Sequence, residues 1–518
     1  MLCRVLRSSS ARHTYRLAVS TCPAIFPYPG SSAAYFSTAS VRTDMGNSNC
    51  TSRAVGTDSA SPAELGAESA GAAAARPPVH HTKSGYCNPW PSFGSPSPVN
   101  LVKGMANMLT MKTAPIARCP DMTVEQLAER HSAPGVTATW MGHASFFVSV
   151  DGVRILTDPV WEARCSPVSF AGPKRYSEQA MPLQTLLQPG APEIDIVLVS
   201  HNHYDHLCAS TLRQILQAST ERGSRPTRFV CPAGVGANLT AAAGIPAEHI
   251  TELDWWEAAA LPDAAELPGL ARAAQLHRLD PVSADTPAFR ACAEGRCHTL
   301  RSAEQPAAEL LAATRAAGAP DGDAPATPAR IVCVPAQHFS ARGLLDRFDT
   351  LWGGFVVQGP SGHSVYFAGD TGLRTVEPGA APESEAERAA PACPAFRAIG
   401  DALGPIDLAL FPIGAYGTAG SRPFFSNVHT SPEDSVECVL DVRAKHAVGM
   451  HWGTWPLTDE PVLEPAQRLA TALAARDLPA DFFTAVQIGG HATHAGVQPE
   501  SVYPLPAPAA SAPAEGAE

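Results

Sequence analysis

From Val136 onward the apolar positions gather into short β-type runs, and the residues between the runs are those that make turns. Val136-Thr-Ala-Thr-Trp140, Phe146-Phe-Val-Ser-Val150 and Val153-Arg-Ile-Leu156 are rich in β-branched and aromatic side chains, and Asp151-Gly152 joins the last two. That dipeptide predicts a hairpin, because both central residues of a type I′ turn need positive φ. Ile194-Asp-Ile-Val-Leu-Val199 is apolar enough for a central strand, and Arg228–Cys231, Ile331–Val334, Phe355–Val357, Val365–Phe367, Asp407–Phe411 and Ala447–Met450 continue the series. A helix is expected after Ser431-Pro432-Glu433-Asp434. Serine can cap it, proline fits its first turn, and Val436, Val439 and Leu440 share one face.

Residues 258–330 and 377–400 break this rhythm. Both are rich in alanine, proline and arginine with weak periodicity, and both are expected to loop out as insertions in a domain spanning 90–500. Residues 1–85 and 501–518 are expected to be disordered and outside the fold. The N-terminal stretch carries Arg4, Arg7, Arg12, Arg16 and Arg42 with no acid before Asp44, the composition of a transit peptide, which would make the protein mitochondrial. The alternative is an ordinary disordered terminus on an intracellular, cytoplasmic protein with peripheral membrane contact.

Charge narrows the function. The 518 residues hold 37 Lys+Arg against 49 Asp+Glu, a formal charge of −12, which argues against a nucleic-acid partner. No run of about 18 uncharged apolar residues is present to span a membrane. The 13 cysteines are odd in number and irregularly spaced, which reads as reduced thiols. Cys292, Cys297 and His298 make only a weak zinc-knuckle pattern, since no second pair accompanies them.

The chemistry concentrates in Ser200-His201-Asn202-His203-Tyr204-Asp205-His206-Leu207. Three histidines and an aspartate directly after a buried strand put four ligand-type side chains at one strand end. Imidazole with carboxylate suits zinc and similar divalent ions. His338, Asp370 and His451 each follow another strand-like run, and His429 precedes the capped helix. Alone, each would more often be a packing or capping residue. Together they share the end of a strand, where open sheets gather ligand sites.

His201-x-His203-x-Asp205-His206 followed by His338, Asp370 and His451 resembles the five-motif pattern of the metallo-β-lactamase superfamily. Further stretches resemble its N-acylphosphatidylethanolamine-hydrolysing phospholipase D branch: Trp140-Met-Gly-His-Ala-Ser145, Thr157-Asp-Pro159, the 166–175 segment, Thr251-Glu-Leu-Asp-Trp-Trp-Glu257, Gly353-Gly-Phe355, Phe367–Gly372 and His451-Trp-Gly-Thr-Trp455. The resemblance covers roughly residues 90–490 and implies an α/β fold, a four-layer αββα sandwich. It implies two zinc ions, one held by His201, His203 and His338, the other by Asp205, His206 and His451, with Asp370 bridging. It further implies that Asp205 orients the attacking water and that His429 donates a hydrogen bond to phosphate. The substrate class would be a phospholipid at a membrane surface, the reaction a phosphodiester hydrolysis, and a homodimer is among the assemblies expected.

Lys174 and Arg175 are weighed as phosphate ligands against a solvated charge pair, Trp255 and Trp256 are expected in the core, and His143 is expected behind the ligands rather than among them. Two other readings compete: a hydrolase of the same fold acting on a soluble substrate such as a sugar-phosphate lactone, and a site that only senses or stores metal.

Overall fold

The computed structural model describes residues 79–94, 112–223, 226–260, 277–279, 307–316, 329–343, 345–379 and 384–505. The expectations for residues 1–78, for the tail beyond 505 and for Cys292, Cys297 and His298 lie outside the described residues.

Among the described residues sixteen strands run in chain order: β1 Val136–Gly142, β2 Ser145–Val150, β3 Val153–Thr157, β4 Ile196–Leu198, β5 Arg228–Pro232, β6 Ile250–Leu253, β7 Ala258–Ala260, β8 His277–Leu279, β9 Arg330–Val334, β10 Gly354–Gln358, β11 Ser364–Phe367, β12 Ile406–Pro412, β13 Ala444–Met450, β14 Phe483–Ala485, β15 His491–Thr493 and β16 Gly496–Val497. They form two sheets, one ordered β16-β15-β1-β2-β3-β4-β5-β6 and the other β14-β13-β12-β11-β10-β9-β7-β8. The expected hairpin is present. Asp151 and Gly152 have φ of 48° and 90°, and Val150 pairs with Val153 across the turn.

β1, β2 and β12 are buried along their whole lengths, so each is covered on both faces. They lie within one continuous core that joins both sheets, and β12 also packs against the helix Pro432–Asp441. The capped helix, α1, is Pro432–Asp441. Ser431 Oγ accepts from Asp434 N at 3.3 Å, and Val436, Cys438 and Val439 are buried against β12 and β13. Burying each of the two valines contributes about 1.5–3 kcal/mol relative to leaving it in water. The fold is therefore the four-layer αββα sandwich.

Three expectations need correction. The 258–330 stretch does not simply loop out, because β7 pairs with β9 and β8, and a helix at Ala307–Ala316 buries Leu311 beside β13. Nor does 377–400: Glu385–Ala389 is helical, and the helix Ala395–Leu403 buries Phe396 and Ile399. Alanine carries little apolar contrast at any period, so a strand of three alanines leaves no pattern to read. At the N-terminal end, residues 79–85 belong to the fold. His80 Nε2 and His81 Nε2 reach Asp254 Oδ1 and Oδ2 at 2.7 and 2.6 Å, and His80 stacks on Trp255.

Seven described cysteines are free thiols and Cys87 is disulfide-bonded, so the described residues hold no disulfide scaffold. Among the described residues no helix is long and apolar enough to cross a membrane.

Candidate metal centre

Strand direction brings the ligand-type residues to one edge. In the first sheet β1 and β3 both run antiparallel to β2, and β4 runs parallel to β3. The chain therefore leaves β1, β3 and β4 at the same edge, toward His143, Asp158 and His201. In the second sheet β9 and β11 flank β10 antiparallel, while β12 and β13 run parallel to β11. Their ends lead to His338, Asp370 and His451. The sheets meet here closely, with Gly353 N donating to Ser200 O at 3.1 Å. Gly369, at φ 62°, faces the same serine. A Cβ on it would lie 2.6 Å from Ser200 Cβ, so glycine is required.

One group of donors is His201, His203 and His338. His203 Nδ1 lies 2.7 Å from His201 Nε2 and 3.3 Å from His338 Nε2. Their tautomers are set from behind. His338 Nδ1 donates to the Val428 carbonyl at 2.9 Å, which leaves its Nε2 lone pair facing inward. Ser200 Oγ gives its hydrogen to Asp158 Oδ2 at 2.5 Å, so it accepts from His201 Nδ1 at 2.9 Å. Burial pushes His203 down to about 4 and holds His201 and His338 well below the ordinary 6.5. All three are neutral, the ligating form.

The second group is built around two carboxylates. Asp205 Oδ2 lies 3.3 Å from His206 Nε2 and from His451 Nε2. Asp370 Oδ2 lies 3.1 and 3.0 Å from the same two nitrogens. That one oxygen is also 4.0 Å from His201 Nε2 and 3.8 Å from His338 Nε2, so it faces both groups. Burial alone would lower His206 and His451, but Asp370 and Asp205 outweigh it, holding His206 well above the ordinary value and His451 at about 9. Burial would likewise raise the two carboxyls, and the facing imidazoles, His206 first, keep both well below the usual range. The centre stabilises positive charge.

Several buried donors remain unspent. His206 Nε2, His451 Nε2 and Asp370 Oδ1 have no hydrogen-bond partner among the described residues. Buried polar atoms left in that state are costly unless something else binds them. Nitrogen and carboxylate donors converging from both sides fit a pair of divalent cations. All seven residues expected as ligands are brought together.

His143, expected behind the ligands, lies with its Nε2 3.0 Å from Asp205 Oδ2, and it joins Asp205, His206 and His451 in one group of potential ligand atoms. His429 lies at the rim, its Nδ1 4.0 Å from Asp370 Oδ2 and without a hydrogen-bond partner among the described residues. Arg175 donates to Val160 O at 2.7 Å and lies over Trp455, 4.1 Å from the ring centroid, while Lys174 forms a backbone bridge to Arg164. Trp255 and Trp256 are core residues, as expected.

Sequence reasoning missed the role of Asp158. Fully buried, it accepts from Ser200 N, Ser200 Oγ and His206 Nδ1, the last at 2.6 Å, so it sets one imidazole in each group. The signal lay in Thr157-Asp-Pro159, noted only as an accessory match. Asp158, His143 and His451 all have positive φ, at 32°, 56° and 63°. Such conformations cost about 1–3 kcal/mol each and persist where the surroundings over-determine them.

Comparison with known proteins places these features. The Beta-lactamase superfamily domain matches residues 153–291 and 276–452. A Caenorhabditis elegans protein named N-acyl-phosphatidylethanolamine-hydrolyzing phospholipase D 1 is 33% identical over 364 residues, covering 69% of this chain and 76% of that protein. A Saccharomyces cerevisiae protein of the same activity name, designated mitochondrial, is 25% identical over 64% of this chain and 50% of its own length. Among solved structures, a metallo hydrolase from the archaeon Ignicoccus hospitalis aligns with a TM-score of 0.35 at 20% identity, over 69% of this chain and 97% of that one.

Proposed function

The chain belongs to the N-acylphosphatidylethanolamine-hydrolysing phospholipase D family of the metallo-β-lactamase superfamily and is a metal-dependent hydrolase. On that premise we propose that it is a dinuclear zinc phosphodiesterase that hydrolyses N-acylphosphatidylethanolamine to an N-acylethanolamine and phosphatidic acid. The observation that carries this reading is the position of Asp370 Oδ2, within 4.0 Å of imidazole nitrogens from both donor groups.

In this reading His201, His203 and His338 would hold one ion and Asp205, His206 and His451 the other, with the Asp370 carboxylate facing both groups. Two such ions supply an acidified water and neutralise charge growing on a phosphoryl group. The chain's own residues do the rest. Asp205 orients the attacking water and takes up its proton as the oxygen bonds to phosphorus. The bond from phosphorus to the ethanolamine oxygen breaks, and the proton taken up by Asp205 passes to that leaving oxygen, which restores the carboxylate. His143, donating to Asp205, keeps that carboxylate aimed. His429 is neutral, since burial pushes it down to about 4, and a neutral imidazole still offers one N–H to a phosphate oxygen. The buried setting strengthens each of these interactions.

The test is product identification. Zinc-loaded protein is incubated with N-acylphosphatidylethanolamine, and the lipids are separated by mass. Release of both N-acylethanolamine and phosphatidic acid supports the assignment. Absence of turnover with zinc present refutes it.

A further inference from the structure

Among the described residues the exposed large hydrophobics are Val79, Val168, Phe170, Leu345 and Val502, and the two most exposed are Phe170 at 81% and Leu345 at 98%. Phe170 and Val168 lie on the loop 161–176, and Leu345 lies on the segment that follows His338. Both loops are rooted on Tyr204, inside the ligand segment. Tyr204 packs with Val160, Cys165, Cys208 and Trp455 on the first loop's side, and Trp455 stands edge-on to His143. From the other side Arg342 lies 3.9 Å over the Tyr204 ring, and Phe339 packs on His203 at 4.6 Å.

The loops hold their shape. Arg175 N donates to Ala163 O at 2.8 Å, and Asp346 accepts from Arg342 N and Gly343 N at 3.0 and 2.8 Å. Apolar tips on braced loops keep paying the hydration cost of exposure unless something covers them.

We propose that these two tips are a docking surface for a phospholipid bilayer, with Phe170 and Leu345 entering the acyl boundary. The inference rests on the phospholipid reading above. Charge supports the same occupant. The chain carries −12 overall, yet Arg164 and Lys174 outnumber Glu162 around the first tip, and at the second Arg347, over Phe339 and Phe348, stands against Asp346 and Asp349, with Asp346 turned to the Arg342 and Gly343 backbone. Long cationic side chains at the base of an apolar tip reach the level of lipid phosphates.

The test uses the full-length, zinc-loaded protein with vesicles of equimolar phosphatidylcholine and phosphatidylglycerol. Wild type should co-sediment. The double variant Phe170→Asp, Leu345→Asp should bind at least about tenfold more weakly, since two apolar side chains no longer transfer. Its turnover of N-acylphosphatidylethanolamine in those vesicles should fall by a similar factor, while hydrolysis of dissolved bis(p-nitrophenyl) phosphate stays unchanged. Equal vesicle binding by variant and wild type overturns the proposal. So does a changed oligomeric state with unchanged vesicle binding, which would make the tips a contact between copies. Tip-dependent vesicle binding without cleavage of N-acylphosphatidylethanolamine would uphold the docking surface and sink the substrate reading instead.

Discussion

On the side of His201, His203 and His338 the ring nitrogens face one another as neutral imidazoles, and the orientation of two of the rings comes from hydrogen bonds behind them, to Ser200 and to the Val428 carbonyl. On the side of Asp205, His206 and His451 the carboxylates face the rings directly and hold His206 and His451 above the ordinary imidazole value. The first group is poised by tautomer, the second by charge. Asp370 Oδ2 belongs to the charged group by distance and reaches the neutral one. Similar residue types thus make two donor groups of different character, and one oxygen faces both.

The largest effect is expected at that oxygen. Asp370→Asn should lower hydrolysis by about 10²–10³-fold, the scale of losing one preorganised electrostatic group. Its circular dichroism and melting temperature should stay near wild type. Near-normal turnover would rule out the bridging role.

The next test separates the groups from behind. Asp158 supports one imidazole in each, so Asp158→Asn should weaken zinc binding overall by about 10–100-fold. His143 hydrogen-bonds Asp205 and packs on His451, ring centroids 4.1 Å apart, and both belong to the second group, so His143→Gln should stay near the lower end of that range, about tenfold, and act on one ion alone. Equal loss of both ions in the His143 variant would contradict the division. Zinc titration by calorimetry reads both.

The smallest effect concerns the scaffold and keeps it apart from the centre. Glu387 and Asp434 are buried with Arg374 and Arg422, Arg422 Nη2 lying 2.9 Å from Asp434 Oδ2 and Arg374 Nε 3.0 Å from Asp434 Oδ1. Burial would raise the Asp434 carboxyl, but Arg374 and Arg422 outweigh it and hold it below its ordinary 3.8. A depressed carboxyl stabilises the fold fully above that value, and the contribution is lost as pH falls through the folded pKa. Wild type should therefore lose melting temperature as pH falls from about 6 to about 3, and Asp434→Asn should lose less over that interval. Parallel slopes for the two proteins would remove Asp434 from the acid response.

Much of the centre was legible from the order of residues because chemistry and address coincide. His201 to His206 crowd one strand end, and His338, Asp370 and His451 each sit one turn past an apolar run that the fold makes a strand. The Asp151-Gly152 hairpin was legible for the same local reason. Asp158 was not, because its function lies in whom it touches, and Ser200 and His206 are more than forty residues away in sequence. β7 escaped because three alanines have no period. The helices within 377–400 were hidden because their stability comes from burying Phe396 and pairing Glu387 with Arg422, contacts that no local window contains.

Equilibrium dialysis against zinc, followed by metal analysis of the protein, probes the convergence of these side chains most directly. Wild type should hold two zinc ions per chain, and His338→Ala and His451→Ala should each hold one. A wild-type content of one, or two ions retained in both variants, would contradict a pair of sites joined at Asp370.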